Sequence, residues 1–531
     1  MGGERAALPG GKMAAQLLSR REMYRLIAFT ILLLAPASAL AQTWPSSLPD
    51  PCTNVRDRGA LETLTLGGGG GGPGVGSWDV AYPEAFFQAE DQLSAVVFIV
   101  NANGATFIHY QQLADHLARQ NYLVRIIQRP GGTLAPFDVE DAMAATFTHF
   151  ALPADFPVVL IGHSMGGGSV MEVTRLFSHA YNIDAVVGIS PNVSNLQGFM
   201  GTDAPAYLAL YGSQDEDMSG TAGAPREAFM GYDLVNIEST TASSANRYIF
   251  VTPNVVDKAM VYVRGADHSG FIRAEGLLGA PLQDYVSVDN QFCIAKAYIN
   301  GFLEWKLMGN ADYRPMFYGD ETPPSVAQMT TSEPDYFGNP AGEPVQLFHQ
   351  ISPRKRFVIA DFSATPAMSV GPDVFASVLF PNTLDVRARH FTKALRLAWK
   401  SNVLLRNVQL TVPTGSRNLA AFDRLQLRIG QIDTGDNLVA NTPQHEPPMM
   451  LSLVDGQGQV VTLTLNSYGR IPGPDLRSGG FSSHSHMNTI SIPMDDLDSI
   501  QLSDVRFVRF WVFPGTRGEV MIDNIEAVYD F

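Results

Sequence analysis

From Ala81 to Leu307 the chain alternates short apolar runs with stretches whose apolar residues recur at helical spacing. The runs predict strands at Ser94–Val100, Tyr122–Ile127, Val158–Ile161, Ala185–Ile189, Ala206–Tyr211 and Met260–Val263. The periodic stretches predict helices at Phe107–Gln120, Val139–Phe150, Ser169–Phe177 and Gln291–Leu307. Such alternation is the rhythm of a mostly parallel, doubly wound sheet covered on both faces. The pattern then changes. Phe357–Phe362, Val403–Val412, Leu425–Ile429, Met449–Val454, Val460–Leu465, Thr489–Ile492, Val505–Phe513 and Val520–Tyr529 read as strands with almost no helix between them. Leu425-Gln426-Leu427-Arg428-Ile429 alternates strictly, and Asp455-Gly456-Gln457-Gly458 is a hairpin turn. These features predict an all-β sandwich. Between the two regions, residues 309–353 are rich in Pro, Gly and polar residues and read as a linker. The layout expected is an α/β region over 42–308 and a β-sandwich over 354–531.

Chemistry concentrates at strand ends of the first region. Gly162-His163-Ser164-Met165-Gly166 follows the apolar strand Val158–Ile161 and opens a helix. Strand, sharp turn and helix form a nucleophile elbow, whose flanking glycines let strand and helix approach closely. Ser164 is the candidate nucleophile; the competing reading is an idle serine on a glycine-rich turn. Asp215 follows the strand Ala206–Tyr211, and His268 follows Met260–Val263. The order Ser, Asp, His suits a triad in which His268 takes and returns the proton and Asp215 fixes its tautomer. Asp217 is the runner-up acid. Among the eleven histidines, His109, His116, His149 and His179 precede the acid, His349 and those after it belong to another region, and His163 lies within the elbow, pointing away from the reacting face. His163 is expected to pack or to make a local hydrogen bond. An oxyanion needs preorganised donors. The backbone N–H of Met165 is one; the loop Asn101–Thr106 supplies the other, assigned to Ala105 with Thr106 next.

These residues resemble the α/β-hydrolase superfamily over roughly 60–307. Gly162-His163-Ser164-Met165-Gly166-Gly167-Gly168 is similar to the elbow of bacterial cutinases and polyester (PET) hydrolases, and Gly72–Ser77 to the first strand of that group. The resemblance implies carboxylic-ester hydrolysis through an acyl-enzyme, with no cofactor. Two positions depart from it. Asn195 stands where those polyester hydrolases carry a tryptophan, and Ala105 where an aromatic follows the oxyanion-loop glycine. The expectation is therefore a serine carboxylic-ester hydrolase. A cutinase or polyester depolymerase with a surface-binding module is the alternative within the class. A non-catalytic carbohydrate-binding protein is the alternative outside it, and peptidase or acyltransferase chemistry would suit the same triad.

The end of the chain, Gly518–Ile525, resembles the last strand of jelly-roll domains of the carbohydrate-binding-module kind. A polysaccharide or polymer surface is thus a candidate partner for the sandwich. Phe507, Trp511 and Phe513 share one strand face and are expected in the core rather than in a sugar platform. His484-Ser485-His486 reads as a polar loop, and Asp361 with Asp523 leaves a structural calcium open.

Composition narrows the setting. Arg20, Arg21 and Arg25 precede the apolar run Leu26–Leu34, and Ala39-Leu40-Ala41 is a small-x-small site. Residues 1–41 therefore read as a signal peptide, with Met13 and Met23 as alternative starts and an uncleaved anchor as the competing reading. Removing the leader's five basic and two acidic residues takes the net charge from −16 to about −19. Such a surface repels nucleic acid and anionic membranes. A secreted or periplasmic protein is expected. Cys52 and Cys293, the only cysteines, could bridge in an oxidising compartment; bridged and unbridged forms are both open. Gly67–Gly72 is read as a surface loop and Gly220–Pro253 as a pocket lid.

Overall fold

A computed structural model describes residues 44–53, 61–66, 78–83, 93–128, 135–192, 205–215, 257–274, 286–332, 341–352, 356–360, 362, 365–372, 374–379, 393–399, 406–432, 446–473, 486–512 and 518–529. The signal segment, Gly67–Ser77, Asn195, Asp217, the stretch Gly220–Pro253, Asp361, His484, Ser485 and Phe513 lie outside these residues.

Nine strands form one sheet: β1 (Leu61–Leu66), β2 (Trp78–Pro83), β3 (Ala95–Val100), β4 (Tyr122–Ile127), β5 (Val158–His163), β6 (Ile183–Ile189), β7 (Ala206–Gly212), β8 (Lys258–Val263) and β9 (Leu347–Ser352). Their order is β1-β2-β4-β3-β5-β6-β7-β8-β9. The run from β4 to β8 is parallel, while β1, β2 and β9 pair antiparallel at the edges. Parallel strands are covered on both faces, which is why their sequences are continuously apolar. Ala95, Val97 and Ile99 pack on one side with α1 (Phe107–Ala118) and α4 (Val288–Lys306), through Leu113, Leu117, Tyr298 and Phe302. Val96, Phe98 and Val100 pack on the other with α2 (Pro136–His149) and α3 (Met165–Phe177), through Val139, Met143, Val170 and Val173.

The described parts of the segment expected as a linker, residues 309–332 and 341–352, belong to this fold. They hold α5 (Pro315–Tyr318) and α6 (Pro324–Ala327), and their strand β9 closes the sheet against β8. They also meet the start of the described chain. Ser325 N–H and Oγ–H donate to Asp50 at 2.6 and 2.7 Å, and Tyr313 Oη–H donates to Pro49 O at 3.0 Å. Cys52 and Cys293 are bridged, tying that start to α4 across 241 residues. Closing so long a loop stabilises by about 5 kcal/mol in the chain-entropy account.

The C-terminal region is antiparallel throughout. One sheet runs β12 (Val374–Leu379), β13 (Ala394–Trp399), β20 (Gly518–Val528), β15 (Arg424–Gln431), β18 (Asn488–Pro493), with β10 (Arg356–Ala360) also on β20. The other runs β11 (Met368–Val370), β14 (Arg406–Thr411), β19 (Val505–Val512), β16 (Met449–Asp455), β17 (Val460–Thr464). Leu395, Leu397, Leu425, Leu427, Ile429 and Ile522 of the first sheet share an apolar core with Val408, Leu451, Leu453, Val508 and Phe510 of the second. One expectation is corrected here. The core face of β19 carries Val508, Phe510 and Val512, so Phe507 and Trp511 lie half-buried on the outer face. Trp511 Nε1–H donates to Ser452 Oγ at 2.7 Å on the neighbouring strand. Both faces of β19 are apolar in sequence, so alternation could not choose between them.

The described residues from Trp44 onward belong to one compact unit. Ala394, Ile432, Met487 and Met521 of the β region share an apolar cluster with Met260, Tyr262 and Phe348 of the nine-stranded sheet. Among the described residues no helix is long and apolar enough to cross a membrane.

Candidate functional site

The turn after β5 is built as its sequence requires. Ser164 takes φ 55° and ψ −122°, a backbone conformation costly for a residue with a Cβ. The strain is held by neighbours. Ser164 N–H donates to Ile189 O at 2.9 Å, and Ser164 O accepts from Gly167 N–H at 2.9 Å and Asn192 N–H at 2.8 Å. A Cβ on Gly162 would collide with the Gly166 carbonyl, and one on Gly166 with the Val100 carbonyl. Glycine is therefore needed on both sides of the serine. Met165 is the first residue of α3, where backbone N–H groups have no acceptor within the helix and the dipole favours negative charge.

Asp215 and His268 come from loops after β7 and β8, and those loops are laced together. Ser213 N–H donates to Val263 O at 3.0 Å, Gln214 N–H to Ala266 O at 2.8 Å, and Gly265 N–H to Ser213 Oγ at 2.8 Å. The outcome is a pair 53 residues apart in sequence: His268 Nδ1 lies 2.9 Å from both Asp215 carboxylate oxygens. An ionised carboxylate only accepts, so Nδ1 carries the proton and Nε2 is the basic nitrogen of the neutral ring. The His268 ring lies 4.8 Å, centroid to centroid, from that of His163, the residue before Ser164. Ser164, Asp215 and His268 are all buried.

Several supporting residues carried no signal in the sequence. Asp267 accepts from Ser269 N–H at 3.1 Å and Gly270 N–H at 2.5 Å, while its own N–H donates to Gln291 Oε1 at 3.1 Å. These bonds shape the turn that carries His268. Burial raises the Asp267 carboxyl above the usual range, against the lowering effect of the Gly270 N–H. His163 is bonded across the fold rather than locally: Nδ1 lies 2.9 Å from Tyr110 Oη, and Nε2 lies 3.0 Å from His268 O. Burial, and then the neighbouring His268, pull its pKa down to about 3.

The two amides expected as candidates for a second oxyanion donor, those of Ala105 and Thr106, make local hydrogen bonds. Gly104 turns the loop with φ 79°, and Ala105 N–H donates back to Ala102 O at 3.2 Å. Thr106 N–H donates to His109 Nδ1 at 3.0 Å. The first bond stays within the loop and the second runs to the first turn of α1.

Among the described residues no group of three or more His, Cys, Asp or Glu side chains clusters as a metal site. Asp523 accepts from the Asn524 N–H at 2.9 Å. His486, expected on a polar loop, is buried between Tyr262 and Phe348, with ring centroids 4.8 and 4.5 Å away. No protein-family model matches the chain, and no curated protein matches it.

Proposed function

We propose that this protein is a secreted serine carboxylic-ester hydrolase of the α/β-hydrolase kind. The observation that carries the reading is the His268–Asp215 pair, together with a serine held at positive φ in the turn after β5. In the proposed reaction Ser164 Oγ attacks the acyl carbon as His268 Nε2 takes its proton, and Asp215 stabilises the imidazolium. The imidazolium then protonates the leaving alcohol, and water, activated by the same nitrogen, frees the acid. The negative oxygen is met by Met165 N–H. Ala105 N–H joins it only if its bond to Ala102 O is released on substrate binding. The placement of the three groups past β5, β7 and β8 supports the assignment, because open parallel sheets carry their sites at the carboxyl ends of strands. The bridged cysteines and the leader pattern support export.

Ser164→Ala is expected to lower hydrolysis of p-nitrophenyl butyrate by roughly 10⁴-fold or more, with an unchanged far-UV spectrum. Turnover within tenfold of the wild type in that variant overturns the reading.

A second reading adds a surface-binding role for the sandwich, with a polysaccharide or a solid polyester as ligand. The outward position of Trp511 and Phe507 favours it. Trp511→Ala should then weaken pull-down on insoluble polysaccharide or polyester film about tenfold without changing turnover of the soluble ester. Equal retention of both proteins removes this role.

A further inference from the structure

We infer that Tyr110 and His163 form an ordered hydrogen-bond relay that positions the base, running from the loop after β3 to the backbone of His268. The inference rests on the esterase reading for its kinetic consequences, but not for its geometry.

The relay has three links. Ala102 N–H donates to Tyr110 Oη at 2.8 Å. Tyr110 Oη lies 2.9 Å from His163 Nδ1. His163 Nε2 lies 3.0 Å from His268 O. Both ends have fixed polarity, since a backbone N–H only donates and a carbonyl only accepts. Between them stand one hydroxyl hydrogen and one imidazole hydrogen. Only one arrangement satisfies every link: the tyrosine hydroxyl donates to His163 Nδ1, and His163 donates from Nε2 to the carbonyl. The tautomer of His163 is thereby set by the fold.

The path explains what the relay holds. Ala102 lies in the loop after β3, Tyr110 on α1, His163 at the end of β5, and His268 past β8. Tyr110 and His163 are fully buried, where a broken link leaves polar groups without water to replace it. Asp215 holds the His268 ring at Nδ1, and the bond to the carbonyl of the same residue adds a second point of attachment, on its backbone. Fixing the carbonyl of the same residue fixes where Nε2 falls relative to Ser164, and reactive geometry is sensitive at the ångström scale. A neutral His163 also suits the chemistry, because its ring lies 4.8 Å from the ring that becomes positive in the proposed transition state.

Three variants test it: His163→Phe, His163→Gln and Tyr110→Phe. Turnover is normalised to Ser164 sites titrated with a fluorophosphonate. His163→Phe should lower kcat on p-nitrophenyl butyrate by about 10- to 100-fold with KM within about twofold. His163→Gln should recover most of kcat, because its carboxamide N–H can reach the same carbonyl. Tyr110→Phe should fall between them. A merely structural role would reduce the yield of folded sites and leave kcat per site alone. Wild-type kcat in His163→Phe, or no recovery in His163→Gln, overturns the relay. If the wild type hydrolyses no ester and Ser164 is not labelled, the esterase reading fails and the relay is decided by histidine-¹⁵N NMR. The wild type should show His163 as the Nε2–H tautomer at pH 7. The downfield His268 Nδ1–H signal should persist in His163→Gln and be lost in His163→Phe. An Nδ1–H tautomer, read on the wild type even if the variants fail to fold, overturns it, as does an Nδ1–H signal unchanged in His163→Phe.

Discussion

In the nine-stranded sheet both faces of β3, β5 and β7 are apolar, and the candidate reactive groups Ser164, Asp215 and His268 stand just past strand ends. In the six-stranded sheet of the sandwich, buried polar side chains stand in mid-strand: Gln426 and Arg428 on β15, Ser491 on β18, Glu526 on β20. Those mid-strand groups lie on the face opposite the sandwich core, toward β9. Arg428 pairs with Glu526 at 3.2 Å and also donates to Ile351 O at 3.3 Å. Gln350 Nε2–H donates to Met487 O, Thr489 Oγ1–H to Gln350 Oε1 at 3.1 Å, and His349 N–H to Asn488 Oδ1 at 2.8 Å. The two regions therefore bury polar groups for different ends. Past the strand ends of the first region they pair His268 with Asp215, the groups to which the proposed chemistry is assigned; in mid-strand of the β region they join one layer to the next. A buried titratable group is evidence of a reactive site only when its place in the strand allows a substrate to reach it.

The difference is sharpest at the Arg428–Glu526 pair. Removing one partner of a fully buried pair leaves an uncompensated charge, at a cost of about 3–5 kcal/mol. Arg428→Met should lower the free energy of unfolding by that amount in urea titration, while kcat per folded site on a small ester is unchanged. Arg428→Met with Glu526→Leu should recover much of the loss, since a well-packed apolar replacement of a buried pair is often neutral. A fall in kcat per folded site would break the comparison, by showing that the seam reaches the site.

Much of the candidate site's local geometry was legible because its physical requirements are local. The elbow needs glycines where a Cβ would strike backbone, and Gly162 and Gly166 stand at those positions. The parallel strands are buried on both faces, so β3 and β5 are visible as apolar runs. Helix α2 begins at Pro136, earlier than its apolar period, because proline suits a first turn and Asp138 accepts the Ala135 N–H at 3.0 Å. What escaped depends on partners distant in sequence. Strand β9 reads Leu-Phe-His-Gln-Ile-Ser, and its polar members make sense only against Asn488, Met487 and Thr489. Strand β13, Ala-Leu-Arg-Leu-Ala-Trp, is rich in helix formers and becomes a strand by pairing with β12 and β20. The histidine relay is of the same kind, since nothing near His163 announces Tyr110 or the carbonyl of residue 268.

The smallest effect expected lies at the seam itself. His349 is fully enclosed on β9, with Nε2 2.7 Å from Tyr298 Oη, and burial pulls its pKa down to about 4. In the unfolded chain a histidine takes up its proton near pH 6.5. Between about pH 6.5 and pH 4 the unfolded state therefore binds the extra proton, and stability falls as pH falls. Above that window the group contributes no pH dependence. His349→Gln keeps an acceptor for Tyr298 and removes the titration. Comparing urea midpoints at pH 7 and pH 5, the variant should lose less stability than the wild type by about 1–2 kcal/mol. The slope should not vanish, because His116 and His163 are also held neutral by burial, near pKa 4 and 3. An identical pH dependence in the two proteins would mean that His349 gains its proton in the folded seam as readily as in the unfolded chain. The joint between the regions would then be open to water, and the reading of the seam as a closed layer would lose its basis.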